Sequence, residues 1–201
     1  MRSVVELVND IKFTDTKLVK YPAELHLIGK GRSAAVFQLG SQQKAVKVFY
    51  PSFKHLAEKE VAIYQCLNSS AYYPEIFEVG PSYFVMELFT GLTLYECLNK
   101  GIEITPRMIE EVDHALEFAK SKGLNPSDIH LRNIILTESN EIKIIDVVRF
   151  TQDKTCYQWR DLKNAYLHYY QLKYFPKKYP KFLMELIIRL YRFRILPIHS
   201  K

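Results

Sequence analysis

Three oxygen-bearing side chains stand out by spacing. Asp128 is followed five residues later by Asn133, and Asp146 ends a second apolar run, Ile142-Lys143-Ile144-Ile145. Between Ile134-Ile135-Leu136 and that run lies Thr137-Glu138-Ser139-Asn140-Glu141, a polar turn-forming stretch, so the two runs read as a hairpin. Pairing them brings Asn133 and Asp146 to one end, where Asp128 is expected to join them. A carboxylate and a carboxamide suit a hard cation such as Mg²⁺, and the second acid is left to act on an attacking hydroxyl.

A second cluster lies upstream. Ile28-Gly29-Lys30-Gly31-Arg32-Ser33-Ala34 carries two glycines that let backbone N–H groups approach phosphate closely. The spacing also fits a dinucleotide-binding turn, but that needs a long helix directly afterwards. Ala35 to Leu39 is instead a short apolar run ended by Gly40-Ser41, which predicts a hairpin. The Gly-Lys-Ser/Thr of a Walker A loop is absent. In Lys44-Ala45-Val46-Lys47-Val48-Phe49, alternation places Ala45 and Lys47 on one face and Val46 and Val48 on the other. A lysine among apolar strand residues needs a partner to offset desolvation. Pro51 to Leu67 reads as a helix with Leu56, Ile63 and Leu67 on one face, and both Glu58 and Glu60 are candidate partners.

The ordered set resembles the protein-kinase fold: a glycine loop, a Val-Ala-Ile-Lys-like strand, a helix glutamate, an Asp with an Asn five residues on, and a further Asp after a hairpin. The resemblance spans roughly residues 24 to 165. It implies an α+β, two-lobed fold, with an antiparallel-sheet N-lobe carrying one helix and a reduced, mainly helical C-lobe. It implies that ATP is the phosphoryl donor with Mg²⁺ or Mn²⁺, and that Lys47 contacts phosphate and pairs with Glu60 rather than Glu58. Asp128 would receive the proton of the attacking hydroxyl, and Asn133 and Asp146 would hold the metal. Ile28, Gly29, Lys30, Gly31, Val36, Ala45, Met86, Glu87 and Phe89 would surround the nucleotide, Met86 at the back of the adenine pocket. His130 stands where protein kinases carry a lysine and could contact phosphate. Asp161 is expected to support the catalytic loop.

The departures matter too. Pro126-Ser127 replaces His-Arg before Asp128, Val147-Val148 replaces Phe-Gly after Asp146, and only 14 residues separate Asp146 from Asp161. The Asp-x-His-x-x-Asn loop is similar to the RIO-like, lipopolysaccharide-kinase-like and aminoglycoside-phosphotransferase-like branches. A small atypical bacterial-type serine/threonine protein kinase is therefore expected. A protein is expected as the acceptor in preference to a small molecule. The alternatives are a small-molecule phosphotransferase and a pseudokinase acting as a nucleotide- or partner-binding module.

Elements complete the expectation: strands at Glu75–Gly80 and Tyr83–Leu88, a short helix from Thr93 to Asn99, and a long one from Pro106 to Lys120 capped by Thr105. The chain divides into an N-terminal extension at 1–22, an N-lobe at 23–88 and a C-lobe at 89–201. Of 28 basic and 22 acidic residues, eight and one respectively lie in 173–201. The net charge of +6 is thus local to that end. A final helix from Phe182 to Leu196 is expected to close the second lobe with its apolar residues. Its basic face would be offered to an anionic membrane, RNA or an acidic protein. Cys66, Cys97 and Cys156 show neither zinc nor redox spacing. With no signal-peptide core and no spanning apolar run, the expected location is cytoplasmic, with peripheral membrane contact through the basic helix.

Overall fold

The computed structural model describes residues 2–193. The described residues form two compact units, one of residues 2–89 with 146–148 and the other of residues 90–145 with 149–193.

In the first unit, helix α1 (Val4–Asn9) begins at a capping box, in which Ser3 and Glu6 satisfy each other's backbone N–H. A hairpin, β1 (Lys12–Thr14) and β2 (Lys17–Lys20), follows as a two-stranded sheet of its own. Then come β3 (Leu25–Lys30), β4 (Ala34–Leu39), β5 (Lys44–Phe49), helix α2 (His55–Leu67), β6 (Ile76–Gly80) and β7 (Tyr83–Glu87). Strands β3 to β7 make one antiparallel sheet in the order β3-β4-β5-β7-β6. Alternation sorts its faces as the β5 sequence predicts. Val46 and Val48 join Ala35, Phe37, Leu39, Tyr83 and Val85 in one core, completed by Leu7, Val8 and Ile11 from the N-terminal segment. Residues assigned to an extension therefore cover one face of the sheet. Ala45, Lys47 and Phe49 lie on the other face, where α2 packs through Ala57, Glu60, Val61 and Tyr64.

The helix expected from Pro51 begins at His55. Pro51–Phe53 is a short 3-10 turn, and no side chain caps α2. The proline fixes a φ suited to the turn and has no N–H to lose there.

The second unit opens with β8 (Gly91–Thr93), the edge of the sheet β10-β9-β8. Gly91 has φ 151°, and a Cβ there would lie 2.2 Å from the Leu136 carbonyl oxygen, so close strand approach requires glycine. Helices α3 (Leu94–Lys100) and α4 (Pro106–Ser121) start at Thr93 and Thr105, both of which accept a bond from the third helical N–H. α4 buries Ile109, Val112, Leu116 and Ala119. Strands β9 (Ile134–Thr137) and β10 (Ile142–Ile144) pair with Ile134 opposite Ile144. Helix α5 (Gln158–Ala165) runs into a π-helical turn at Tyr166–Tyr170, and α6 (Lys181–Arg192) ends the described chain. The Arg194 to Leu196 end of the expected last helix lies outside the described residues.

Candidate active site

In the first unit, β5 and α2 bring together one group of the candidate residues. The Lys47 ammonium donates to both Glu60 carboxylate oxygens, at 2.8 and 2.7 Å, and to Asp146 Oδ1 at 3.0 Å. Glu58 takes no part in this pairing. Lys47 is buried and Glu60 fully so. Burial works against the Lys47 charge, but Glu60 and Asp146 outweigh it and hold the ammonium above the ordinary lysine range. Burial also raises the Glu60 carboxyl, with Lys47 opposing it. The bidentate contact keeps the two as an ion pair. Phe49 and Phe84 pack beside them, and the Lys47 ammonium lies 5.4 Å from the Phe49 ring centre.

Tyr64, one turn after Glu60, is a residue that sequence reasoning missed. Its hydroxyl accepts from the Asp146 N–H at 3.0 Å, and burial drives its pKa upward. It pins the backbone of an Asp whose carboxylate faces Lys47. Asp146 has φ 62°, as does Asp128. Positive φ is costly for residues with a Cβ, and Asp is among those that tolerate it best.

The glycine stretch is a strand-turn-strand connection. Gly29 pairs with Val36 and Lys30 with Ala35, and the Gly31 N–H bonds the Ala34 carbonyl at 2.9 Å. Neither glycine has positive φ, and an added Cβ would meet nothing closer than 3.5 Å. Backbone geometry does not demand glycine at either place. What glycine leaves there is bare backbone that a ligand can approach. Ile28 is exposed, while Ala45 and Met86 are buried directly opposite each other on β5 and β7. The Glu87 N–H bonds the Glu75 carbonyl, and the Leu88 N–H that of Gln43, so the strand entering Phe89 is fixed at its backbone.

The second unit holds the other residues. The Asp128 carboxylate is ion-paired to Arg149, Oδ2 to Nη1 at 3.2 Å, and its N–H points to Cys156 Sγ at 3.5 Å. The Asn133 amide donates to the Asp128 carbonyl at 3.2 Å, and its Oδ1 can act only as an acceptor or as a donor atom to a cation. The loop is fastened at several further points. Asn133 N–H bonds the His130 carbonyl, Tyr95 N–H bonds that of Leu131, and Ile145 N–H bonds that of Asn133. Asn125 donates to the carbonyls of Gln152 and Lys154. Asp161 is buried and accepts from the Tyr191 hydroxyl at 3.0 Å, which ties α5 to α6. Sequence reasoning missed Arg149 and Cys156. Arg149 could have been noticed as a cation three residues past Asp146; nothing in the sequence marks Cys156.

Among the described residues no cluster of three or more His, Cys, Asp and Glu side chains could hold a metal by itself. Asn133 and Asp146 offer hard oxygen donors, and Mg²⁺ is commonly held by one or two carboxylates with phosphate oxygens and water. Each of the two side chains, taken by itself, has the chemistry to serve such an ion.

These features define the chain as protein-kinase-like. It belongs to the serine/threonine-protein-kinase-like family. A Bacillus subtilis relative named "Putative serine/threonine-protein kinase YrzF" is 53% identical over 178 residues, 88% of this chain and 83% of that protein. A Streptomyces coelicolor relative named as a probable serine/threonine-protein kinase is 29% identical over 143 residues, 60% of this chain and 21% of its own. A Lactococcus lactis relative so named, PknB, is 26% identical over 140 residues, 59% of this chain and 22% of its own. No family model matches the chain.

Proposed function

We propose that this protein transfers a phosphoryl group from ATP to a hydroxyl acceptor, as a protein serine/threonine kinase. One observation carries the reading: a buried lysine whose ammonium is shared between Glu60 and Asp146. A merely structural ion pair needs no third, half-exposed carboxylate on a strained backbone. The arrangement suits a cation that must meet phosphate without wandering.

In this reading Lys47 holds the donor phosphates, and the Gly29–Gly31 backbone approaches them closely. Ile28, Lys30, Val36, Ala45, Met86, Glu87 and Phe89 receive the rest of the nucleotide. Asn133 and Asp146 hold Mg²⁺ or Mn²⁺. The bound ion neutralises charge on the phosphate oxygens. Asp128 orients the acceptor hydroxyl and takes its proton, and Arg149 fixes the Asp128 carboxylate. Arg149 also supplies positive charge next to a loop that has His130 where protein kinases have lysine. The RIO-like or lipopolysaccharide-kinase-like subtype is part of the proposal and rests on that histidine. The proposed location is cytoplasmic; among the described residues no helix is long and apolar enough to cross a membrane.

A small-molecule phosphotransferase is the second reading. It is favoured by the short, helix-free connection from Asp146 to α5, which leaves little chain to dock a peptide.

The test is labelled-ATP transfer with Mg²⁺ or Mn²⁺, supplied with protein acceptors and with small alcohols. Wild type should incorporate label, and Asp128→Asn should lose about 10²–10⁴-fold. Asp146→Asn should lose metal-dependent turnover. Activity surviving both substitutions would refute the assigned roles. Stabilisation by ATP without any turnover would identify a nucleotide-binding module instead.

A further inference from the structure

α6 is apolar on two sides, and only one of them is covered. Met184 is buried, and Tyr191 bonds Asp161. Glu185 takes a bond from the Tyr95 hydroxyl at 2.6 Å and an ion pair from Arg132. These contacts dock the helix. Phe182, Leu186, Arg189 and Phe193 follow one another at steps of four, three and four residues, which places them in one line along the helix. Phe182 is 75% exposed, Leu186 49% and Phe193 74%. The sequence expectation that the apolar residues of this helix close the second lobe therefore holds for Met184 and fails for these three.

The same surface is cationic. Lys181, Arg189 and Arg192 lie on α6, and Lys173 and Lys178 are exposed just before it. Glu185 is the single acid from 173 to 193; it is ion-paired to Arg132 and also feels the charge of Arg192. A line of exposed aromatic and aliphatic side chains among cations in excess over acids is the pattern of a helix lying flat in the headgroup region of an anionic bilayer. RNA would engage the cations alone and leave the aliphatic Leu186 in water. An acidic protein would need a groove to take three apolar groups in one row.

We propose that α6 docks this protein onto the surface of an anionic lipid bilayer. The apolar line enters the headgroup boundary, and Lys181, Arg189 and Arg192 meet the lipid phosphates. The helix lies in the interface and does not span it: twelve residues are too few to cross the hydrocarbon.

The full chain is sedimented with vesicles of phosphatidylcholine alone, and with vesicles in which about a third of the lipid is phosphatidylglycerol. Binding is expected only to the anionic vesicles and should weaken as salt is raised. Arg189→Gln and Arg192→Gln should each lower affinity about fivefold, the ratio equivalent to ~1 kcal/mol per basic residue. A Phe182→Ser/Phe193→Ser variant should lose about tenfold or more. Those positions are exposed, so its thermal midpoint should match wild type and show that folding is intact. No binding at low salt would overturn the proposal. Equal binding to neutral vesicles would also overturn it, as would an apolar variant that binds like wild type. The last result, together with displacement by a homopolymeric RNA, would indicate a purely electrostatic contact with nucleic acid.

Discussion

At the residue scale the decisive feature is the buried Lys47–Glu60 pair. Replacing one partner of a buried pair leaves the other as an uncompensated charge, at a cost of about 3–5 kcal/mol. Lys47→Met should destabilise by that order, and urea titration can measure it. The variant also carries a pH signature. Burial raises the Glu60 carboxyl and Lys47 opposes that rise. Without Lys47 the folded-state pKa stands further above the unfolded value. Stability tied to the protonated acid is then fully present below the unfolded pKa and lost as pH rises through the folded one. The deficit against wild type should therefore shrink from neutrality toward about pH 5; a deficit that stays constant would mean Glu60 is not the group left stranded. Arg149 invites a second test. If it fixes the Asp128 carboxylate, Arg149→Ala should lower kcat about tenfold or more with little change in KM for ATP. Arg149→Lys should recover part of the loss, because it restores charge without the planar fork. A change in KM alone would assign Arg149 to nucleotide binding.

At the element scale, the N-terminal segment is a structural part of the first unit and packs against one face of its five-stranded sheet. Leu7, Val8 and Ile11 complete the core under Val46 and Val48, the strand residues that alternate with Lys47. Ile11→Ala should cost about 2–5 kcal/mol, read as a lowered urea midpoint with unchanged slope. A loss below about 1 kcal/mol would mean the segment merely rests on the surface. Much of this scale was legible in sequence, because alternation along β5 and caps such as Thr105 are local signals. Glu60 was chosen over Glu58 through the kinase resemblance, which sets the helix glutamate just before an apolar run such as Val61-Ala62-Ile63-Tyr64. The β1–β2 hairpin was not legible: Lys12-Phe13-Thr14 and Lys17-Leu18-Val19-Lys20 are too short and too charged to announce strands. The exposed line on α6 was missed for a related reason. Periodicity says which residues share a face, and only tertiary structure says whether anything covers it. Tyr64 and Arg149 depend on contacts distant in sequence, 82 residues for Tyr64 with Asp146, which no spacing rule reports.

At the scale of the whole molecule, the proposed roles are divided between the two units. Lys47, Glu60 and Asp146 belong to one, and Asp128, Asn133 and Arg149 to the other. Each unit has secondary structure and buried side chains of its own, so a single two-state transition is not guaranteed. A ligand raises the stability only of what it binds in the folded state, by ~2.7 kcal/mol at one hundred times its Kd. If one Mg²⁺-bound ATP is served by all the assigned residues, calorimetry should show every unfolding transition moving up together. For a chain of this length the shift should be about 5–10 °C. ATP without the metal should give a smaller shift, since the triphosphate charge would then face Asp146 unscreened. Asp146→Asn should abolish the difference between the two conditions. A trace in which one transition rises and another stays fixed would show nucleotide held by one unit alone. That outcome would leave Lys47 a binding residue and remove Asp128 from the chemistry.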